Sequence, residues 1–364
     1  MSASTATAAA SAASIAAAAT TQSNRDDPPE VLMTGATQRR YGNADELRIE
    51  QICRPEIAAD EVLIEVVAAG LDRGVVHLMT GTPYLIRLMG FGLRRPKNPV
   101  PGFDVAGRVV DVGAFVTRFE PGDEVMGIAK GSFAEYAAAA ESKLVHKPEG
   151  SSFEAAGVAT ISGISALQAL TTEGNVAAGE RVLVIGASGG VGMYAVQIAS
   201  AFGAVVTGVA SGEKCDFVRS LGAHAAIDYK TTDLGDLDQQ FDLIIDIGGR
   251  NPIGKLRGLL APSGRLVIVG GENGGRITGG IGRQLGAALL SLFVKQKLGF
   301  FMSEESGQYI EPLAELLASG QVVPAVGSRF PLEETAAAIR ALEAGQVYGK
   351  IAIDVAGEPD PSST

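Results

Sequence analysis

The sequence is poor in cysteine and histidine. Its 364 residues include two cysteines, Cys53 and Cys215, and three histidines, His77, His146 and His224. Two cysteines so far apart do not indicate a disulfide framework, which suits a reducing compartment, and we expect a cytoplasmic protein. So few histidines also limit the metal sites and hydrolytic sites that the chain can build.

Positive charge is also scarce, and no apolar run is long. Acidic residues outnumber basic ones by 41 to 30, and the basic residues form no long stripe, so no nucleic-acid partner is expected. The apolar stretch LGAALLSLFVKQKLGFF is interrupted by Lys295 and Lys297 before it reaches the roughly 20 residues that a membrane helix needs. No membrane span is predicted.

The N-terminal segment lacks the features of a targeting sequence. It is rich in Ala, Ser and Thr and has no basic residue before Arg25, unlike a secretory signal or an Arg-rich transit peptide. So few large apolar side chains cannot offset the entropy cost of ordering. We therefore expect residues 1–30 to be disordered, and the tail 356–364 likewise.

The predicted pattern of secondary structure changes once along the rest of the chain. Residues 31–155 contain short β-rich runs separated by Gly/Pro turns, which is typical of an irregular β-barrel-like domain. In residues 156–303, apolar strands alternate with helical segments, which predicts a Rossmann-type, doubly wound α/β domain with a parallel sheet. Residues 304–355 are expected to return to the first domain, so that the α/β domain is inserted into it.

A glycine-rich motif, GASGGVG at residues 186–192, follows the apolar run RVLVI and precedes a helical segment. With Ser188 at its centre, it matches the Gly-x-Ser-x-Gly elbow of serine hydrolases, which need an acid and then a histidine after the serine. Only His224 follows Ser188, and it lies close by, at the entrance to the next strand. A hydrolase is therefore the weaker interpretation.

The stronger interpretation of this motif is a phosphate-binding turn. Gly186 permits a tight turn, Gly189 lets the backbone approach a pyrophosphate without a Cβ in the way, and Gly192 allows the helix to pack against the strand. Amides at the helix N-terminus then face the anion along the helix dipole. The position after the first strand of a βα series favours dinucleotide binding by the whole loop: Gly186, Ala187, Ser188, Gly189, Gly190, Val191 and Gly192.

The end of the second strand indicates which dinucleotide binds. NAD enzymes usually place an acid there, against the ribose 2′-hydroxyl. The segment ASGEK instead offers Ser211 as a donor to a 2′-phosphate and Lys214 to neutralise it, which favours NADP. Glu213 leaves NAD open, because an acid two residues later can still reach a ribose. The alternative for Lys214 is a solvated lysine on a helix face.

Together these segments resemble the medium-chain dehydrogenase/reductase superfamily, and within it the quinone-oxidoreductase-like branch. The resemblance runs from about residue 31 to residue 355 and is carried by GSFAEYAAA, ISGISALQAL, AAGERVLVIGASGGVGMYAVQIASAFGAVVTGVAS, RSLGAHAAIDY and GKIAIDV. It implies a GroES-like β-rich catalytic domain, a Rossmann NADP-binding domain and a cleft between them. Family members commonly form dimers or tetramers, so a homodimer or homotetramer is expected.

The superfamily also contains zinc alcohol dehydrogenases, so the metal is a separate question. Catalytic zinc needs three protein ligands drawn from Cys, His and Asp/Glu. Where the zinc branch has Cys, this chain has Leu71 or Asp72, and where that branch has Gly-His-Glu, Phe103 replaces the histidine. We therefore expect no metal. Without a Lewis acid, reduction by NADPH of a quinone, an enone or another activated carbonyl is the favoured chemistry.

Three residues are candidates for that chemistry. Asp72 stands in or near the position where quinone reductases usually have Asn; it orients a neighbouring group, or is only a turn residue or a partner of Arg73. Tyr84 falls where related enzymes carry a cleft-facing tyrosine, and a phenol can stack on a planar ring and donate to its oxygen, with ordinary packing as the alternative. His77 can supply a proton, with a structural histidine as the alternative.

The resemblance also implies cofactor contacts outside the glycine loop. Ser165 is expected to open the helix that carries the chain into the Rossmann domain, near the nicotinamide, with a helix cap as its structural alternative. The other expected contacts are Tyr229, Gly248, Gly270, Phe301, Met302, Ser303 and Lys350.

Two functions from different classes are open at this point. The first is a zinc-independent, NADPH-dependent oxidoreductase. The second is an NADPH-binding protein that senses redox state or serves as a partner surface with little turnover, because the sequence contains no unmistakable catalytic acid or base. The segment GFGLRRPKNP, residues 90–99, is also ambiguous: its three basic side chains line the entrance to the cleft or are merely solvated.

Overall fold

Strands dominate the first part of the chain in the computed structural model, which describes residues 31–271, 275 and 277–356. The disorder expected of residues 1–30 and, Ala356 apart, of the tail 356–364 lies outside the described residues. The elements of this part are β1 (Leu32–Thr37), β2 (Arg48–Cys53), β3 (Glu61–Leu71), α1 (Arg73–Thr80), β4 (Asp104–Val112), β5 (Glu124–Ile128), β6 (Tyr136–Ala140) and β7 (Leu144–His146).

Strands and helices alternate in the middle of the chain. The elements are α2 (Phe153–Gly157), α3 (Thr160–Gln168), β8 (Arg181–Ile185), α4 (Gly190–Ala201), β9 (Val205–Ala210), α5 (Cys215–Ser220), β10 (Ala225–Asp228), β11 (Phe241–Asp246), α6 (Ile253–Gly258), β12 (Leu260–Ile268), α7 (Ile281–Ser291) and β13 (Lys297–Phe300). The last described elements are α8 (Gly307–Ala318), β14 (Val326–Pro331), α9 (Thr335–Glu343) and β15 (Lys350–Asp354).

The middle strands form a six-stranded parallel sheet in the order β10-β9-β8-β11-β12-β13. The runs RVLVI of β8 and FDLIID of β11 are almost wholly buried, as expected of parallel strands with helices on both faces. The winding direction reverses between β8 and β11, and the crevice at the carboxyl ends of such a pair is where ligands bind in doubly wound sheets.

The remaining strands, apart from the β1–β2 hairpin, form a seven-stranded sheet in the order β14-β15-β3-β4-β5-β7, with β6 also paired to β3. β15 runs antiparallel to β3, and Ile351 lies opposite Leu71. Because β14 and β15 follow the six-stranded sheet in the sequence, the α/β part is inserted into the β-rich part, and the predicted fold class is confirmed. Among the described residues, no helix is long and apolar enough to cross a bilayer.

Candidate functional site

The glycine loop joins the end of β8 to the start of α4, at the reversal point of the sheet. Gly186 has φ +88°, in the left-handed region that favours glycine. A Cβ at Gly192 would overlap the carbonyl oxygen of Gly186, so the helix approaches the strand end as closely as only glycine allows. A Cβ at Gly189 would meet only that same oxygen, at 3.5 Å. The loop therefore has no room for a side chain at Gly192 (closed) but leaves space beside the backbone at Gly189 (open).

Strand β15, which belongs to the other sheet, lies against this loop. The amide of Gly349 donates a 2.8 Å hydrogen bond to the carbonyl of Ser188. A Cβ at Gly190 would lie 3.1 Å from Lys350 Cδ and 3.2 Å from Ser162 Oγ. Of the other two loop residues, Ala187 is buried and Val191 packs on the main core.

Two further glycines lie beside the loop at the carboxyl ends of strands. Gly248 follows β11, and its amide donates to the carbonyl of Ile185 at 3.3 Å. Gly270 follows β12, where a Cβ would overlap the carbonyl oxygen of Ile247. The backbone of three successive strand ends therefore forms the floor of one crevice.

A buried ionic cluster lies behind the loop. Lys350 Nζ is 2.5 Å from Asp72 Oδ1, 3.1 Å from Asp104 Oδ2 and 3.2 Å from Ser162 Oγ. Ser162 Oγ donates to Asp72 Oδ1 at 2.7 Å, and Asp104 Oδ1 accepts from the amide of Ile161 at 2.6 Å. Asp72 Oδ1 therefore accepts hydrogen bonds from two neighbouring side chains.

The pKa values of the two carboxyl groups of this cluster are shifted in opposite directions. Burial and the nearby charge of Asp72 raise the pKa of Asp104 well above its usual value, despite Lys350. Burial also acts against ionisation of Asp72, but the charge and hydrogen bond of Lys350 outweigh it and lower the pKa of Asp72. The same two carboxyl groups raise the pKa of Lys350 against the effect of its own burial. Lys350 is therefore held by two buried carboxyl groups, of which Asp72 has a lowered pKa and Asp104 a raised pKa.

Sequence reasoning did not find Asp104 and Ser162. The signal for Asp104 was present, because it follows Phe103 at the position of Glu in the Gly-His-Glu pattern of the zinc branch. No sequence signal pointed to Ser162, which α3 brings to Lys350 from 188 residues away in the chain.

The residues at the expected metal position do not fit a catalytic zinc. Phe103 offers no donor atom, and Oδ1 of Asp72 already accepts from Lys350 and Ser162. Within residues 31–271, 275 and 277–356, no group of three or more His, Cys, Asp or Glu side chains could hold a metal ion.

The other two catalytic candidates lie on and just after α1, apart from the cluster. His77 is half-buried, and its Nδ1 is 3.2 Å from the carbonyl oxygen of Thr82. Tyr84 is 41% exposed, and the Arg87 guanidinium lies 4.8 Å from its ring centre. In the described part of the chain, no hydrogen bond joins either side chain to Asp72.

At the end of β9, the residues predicted to set the cofactor preference form hydrogen bonds within the protein. Ser211 Oγ donates to Glu213 Oε1 at 3.0 Å, and the same oxygen lies 3.6 Å from Lys230 Nζ. Lys230, which sequence reasoning missed, is thus a second cation near Ser211. Tyr229, the residue before it, is 53% exposed.

Lys214 is not simply a solvated side chain. Its Nζ donates to the carbonyl oxygens of Gly345 and Val347, each at 3.0 Å. Those carbonyls belong to the segment that leads into β15. Lys214 therefore ties the end of β9 to the returning part of the chain.

The remaining predicted contacts lie on and near α3. The expectation that Ser165 opens this helix is wrong: α3 begins at Thr160, and Ser165 lies within it, with its hydroxyl bonded to the carbonyl of Ile161 at 2.7 Å. This bond to the preceding turn satisfies the hydroxyl without a cap. Ser303 Oγ accepts from Gln168 Nε2 at 3.0 Å, Met302 is 73% exposed, and Phe301 packs partly buried on the core.

Family models match both parts of the chain. The model described as alcohol dehydrogenase GroES-like domain matches residues 58–149. The model described as zinc-binding dehydrogenase matches residues 221–353.

Characterised relatives cover nearly the whole chain. An NADPH-dependent alkenal/one oxidoreductase, chloroplastic, from Arabidopsis thaliana is 32% identical, with 86% of this chain and 77% of the relative covered. A quinone oxidoreductase from Homo sapiens is 31% identical, with 84% and 93% covered. The solved quinone oxidoreductase of Coxiella burnetii superposes with a TM-score of 0.78 at 26% identity, over 89% of this chain and 100% of that one.

Proposed function

The chain belongs to the medium-chain dehydrogenase/reductase superfamily, in its quinone-oxidoreductase-like branch, and from this we propose that it is a zinc-independent, NADPH-dependent oxidoreductase. Its hydride acceptor is a quinone, an enone or another activated carbonyl. The observation that carries the proposal is the glycine loop, which is closed at Gly192 and open at Gly189. Such an opening lets an anion approach the backbone amides at the start of α4.

The dinucleotide would lie across the crevice formed by three strand ends. The pyrophosphate would sit over residues 186–192, and Gly248 and Gly270 would pass beneath the nicotinamide half. Ser211, Lys214 and Tyr229 would hold the adenosine half, with Lys230 as an additional cation for a 2′-phosphate. Ser165, Phe301, Met302, Ser303 and Lys350 complete the proposed contacts. The name of the Arabidopsis relative supports NADPH over NADH.

The chemistry of the site follows from the residues behind the loop. When bound, NADPH supplies the hydride. Asp72 is a positioning residue, because it fixes Ser162 and Lys350 against Gly190. The proton that neutralises the resulting oxyanion is assigned to His77, and Tyr84 is assigned to the acceptor ring or its oxygen. An acceptor that delocalises charge after hydride addition needs no metal at this position.

Turnover measurements test this proposal. Purified protein is mixed with NADPH and a panel of quinones and vinyl ketones, and the loss of NADPH is followed, with Gly189→Val as the matched control that keeps every side chain near Asp72. We expect turnover in the wild type and none in the variant. Tight NADPH binding without turnover of any acceptor would contradict the proposal and favour an NADPH-binding partner protein.

We also propose the domain division given by the sequence, with a catalytic domain at 31–155 and 304–355 and an NADP-binding domain at 156–303. A homodimer or homotetramer is supported by the edge position of β13 and by the exposed Leu289 and Phe293 beside it. Light scattering after gel filtration tests the oligomer. A cytoplasmic location is supported by the scarcity of cysteine, and localisation of a tagged chain tests it.

A further inference from the structure

An apolar cavity of about 540 Å³ lies beside helix α1. This volume is within the range of small-molecule sites. One wall is α1 itself, through Val75, Leu78 and Met79, and the opposite wall is the proline-containing segment 96–103. No residue of the glycine loop lines the cavity, so it is a separate space from the crevice proposed for the dinucleotide.

Two of the polar side chains along this cavity are already engaged. Gln38 Nε2 donates to the carbonyls of Arg40 at 2.5 Å and Met79 at 2.6 Å. Lys130 Nζ is 2.5 Å from Glu61 Oε1. Lys97 and Asn98 also line the cavity, but the other lining residues are apolar side chains and glycines, so the cavity offers a ligand mainly hydrocarbon contact.

The cavity shows which basic side chains of residues 90–99 line an entrance and which are solvated. Phe91 and Lys97 line the cavity, whereas Arg94 and Arg95 are exposed and do not. Phe91 is 42% exposed, and Leu93, two residues further along the chain, is 66% exposed. An apolar molecule can therefore enter from solvent past an apolar rim.

The inner end of the cavity lies next to the ionic cluster. Phe103 lines the cavity, and the next residue, Asp104, contacts Lys350. Asp72 precedes α1, whose first turn carries the lining residue Val75. The cavity wall and the ionic cluster therefore meet at the start of α1 and at the start of β4.

We propose that this cavity binds the hydrocarbon chain of the hydride acceptor. The preferred acceptors are then enones or quinones with a linear apolar substituent rather than small unsubstituted ones. This inference rests on the proposed function, because it assigns the tail of the same substrate. Each buried methylene strengthens binding by about threefold to fourfold.

A chain-length series tests the inference. NADPH turnover is measured with straight-chain vinyl ketones from methyl to heptyl vinyl ketone, in the wild type, in Leu78→Trp and in Leu32→Trp. Leu78 is half-buried on the cavity wall, whereas Leu32 is 55% exposed on β1 and does not line the cavity. We expect KM to fall at least tenfold along the series in the wild type and in Leu32→Trp, and to stay nearly constant in Leu78→Trp.

Failure of this inference can be distinguished from failure of the proposed function. Turnover with the same KM for every chain length, or a gradient that Leu78→Trp retains, would overturn the inference and leave the proposed function standing. Absence of turnover with all acceptors would overturn the proposed function. In that case, calorimetry with the saturated ketones decides: affinity that rises with chain length, and does so less in Leu78→Trp, supports the cavity as a chain site, and affinity independent of length overturns it.

Discussion

Gly189 is the residue at which the glycine loop leaves room for a ligand. We expect Gly189→Val to abolish NADPH binding, because a branched side chain would occupy the approach of the pyrophosphate. The fold should survive, since an added Cβ meets only the Gly186 carbonyl oxygen, at an ordinary 3.5 Å. Isothermal calorimetry and a thermal melt measure the two effects. Wild-type affinity in a folded variant would show that the loop is not the phosphate site.

A substitution at Gly192 should affect stability, unlike the substitution at Gly189. Its added Cβ would overlap the Gly186 carbonyl oxygen, so Gly192→Ala should lower the melting temperature, whereas Gly189→Val should not.

Lys350 and Asp104 should respond differently to removal of charge. Lys350→Met leaves the buried Asp72 carboxylate without its cation, and breaking a buried pair in this way costs about 3 to 5 kcal/mol. Asp104→Asn should cost less, about 1 to 3 kcal/mol, because an amide oxygen can still accept from Ile161 although the amide NH2 then faces Lys350 Nζ. Chemical denaturation near neutral pH measures both. A loss for Asp104→Asn as large as that for Lys350→Met would contradict this difference.

The pH dependence of these variants has a defined sign. Because its pKa is raised in the folded state, Asp104 stabilises the protein at low pH, and this contribution is lost as pH rises above the unfolded value of about 3.9. Asp104→Asn should therefore gain stability relative to the wild type from pH 4 upward. Asp72 acts oppositely, because its stabilisation is lost as pH falls through its lowered pKa. The stabilisation from Lys350, whose pKa is raised, is lost as pH rises through that pKa.

Lys214 should distinguish the two dinucleotides. Lys214→Ala should weaken NADPH binding by about tenfold to a hundredfold, towards the lower end at an exposed site, and hardly change NADH binding, which lacks the 2′-phosphate. Lys214 also donates hydrogen bonds to the carbonyls of Gly345 and Val347. Damage to the fold would therefore weaken the binding of both cofactors and leave the ratio of their affinities unchanged. The effect should shrink as salt rises. A wild-type preference for NADH would instead assign Glu213 to a ribose hydroxyl.

At the scale of elements, α7 is anchored by one buried ion pair. Arg283 binds the carboxylate of Asp246 at the end of β11 and also donates to the carbonyl of Asn251. Burial raises the pKa of Asp246, and Arg283 partly offsets this. Arg283→Ala should cost about 3 kcal/mol and speed amide exchange in α7. Exchange unchanged in α7 would show that apolar packing alone holds the helix.

The sequence predicts elements whose signal is local. The loop at residues 186–192 could be predicted because its glycines follow one strand and precede one helix. Ser165 was misplaced because hydroxyl groups serve equally as caps and as donors to the preceding turn. α7 and β13 were not predicted individually, since a short apolar run does not distinguish helix from strand. The cluster of Asp72, Asp104 and Lys350 depends on contacts across 246 and 278 residues, which no local pattern encodes.

For the whole molecule, we expect preparations to contain no stoichiometric zinc and a chelator to leave turnover unchanged. The physical reason is that Phe103 supplies no ligand and that Asp72 is already paired with Lys350. Elemental analysis of the purified chain and assays with and without a chelator measure this. One zinc per chain, with activity lost on its removal, would contradict it.

The contact of β15 with the glycine loop also bears on the order in which the protein matures during synthesis. Every residue of the loop leaves the ribosome well before Gly349 and Lys350, which follow all the other described helices and strands. Domains generally fold as units from the N-terminal side as they emerge. The nascent six-stranded sheet can therefore form while its dinucleotide crevice still lacks one side, and the last strand closes that side after translation of the rest.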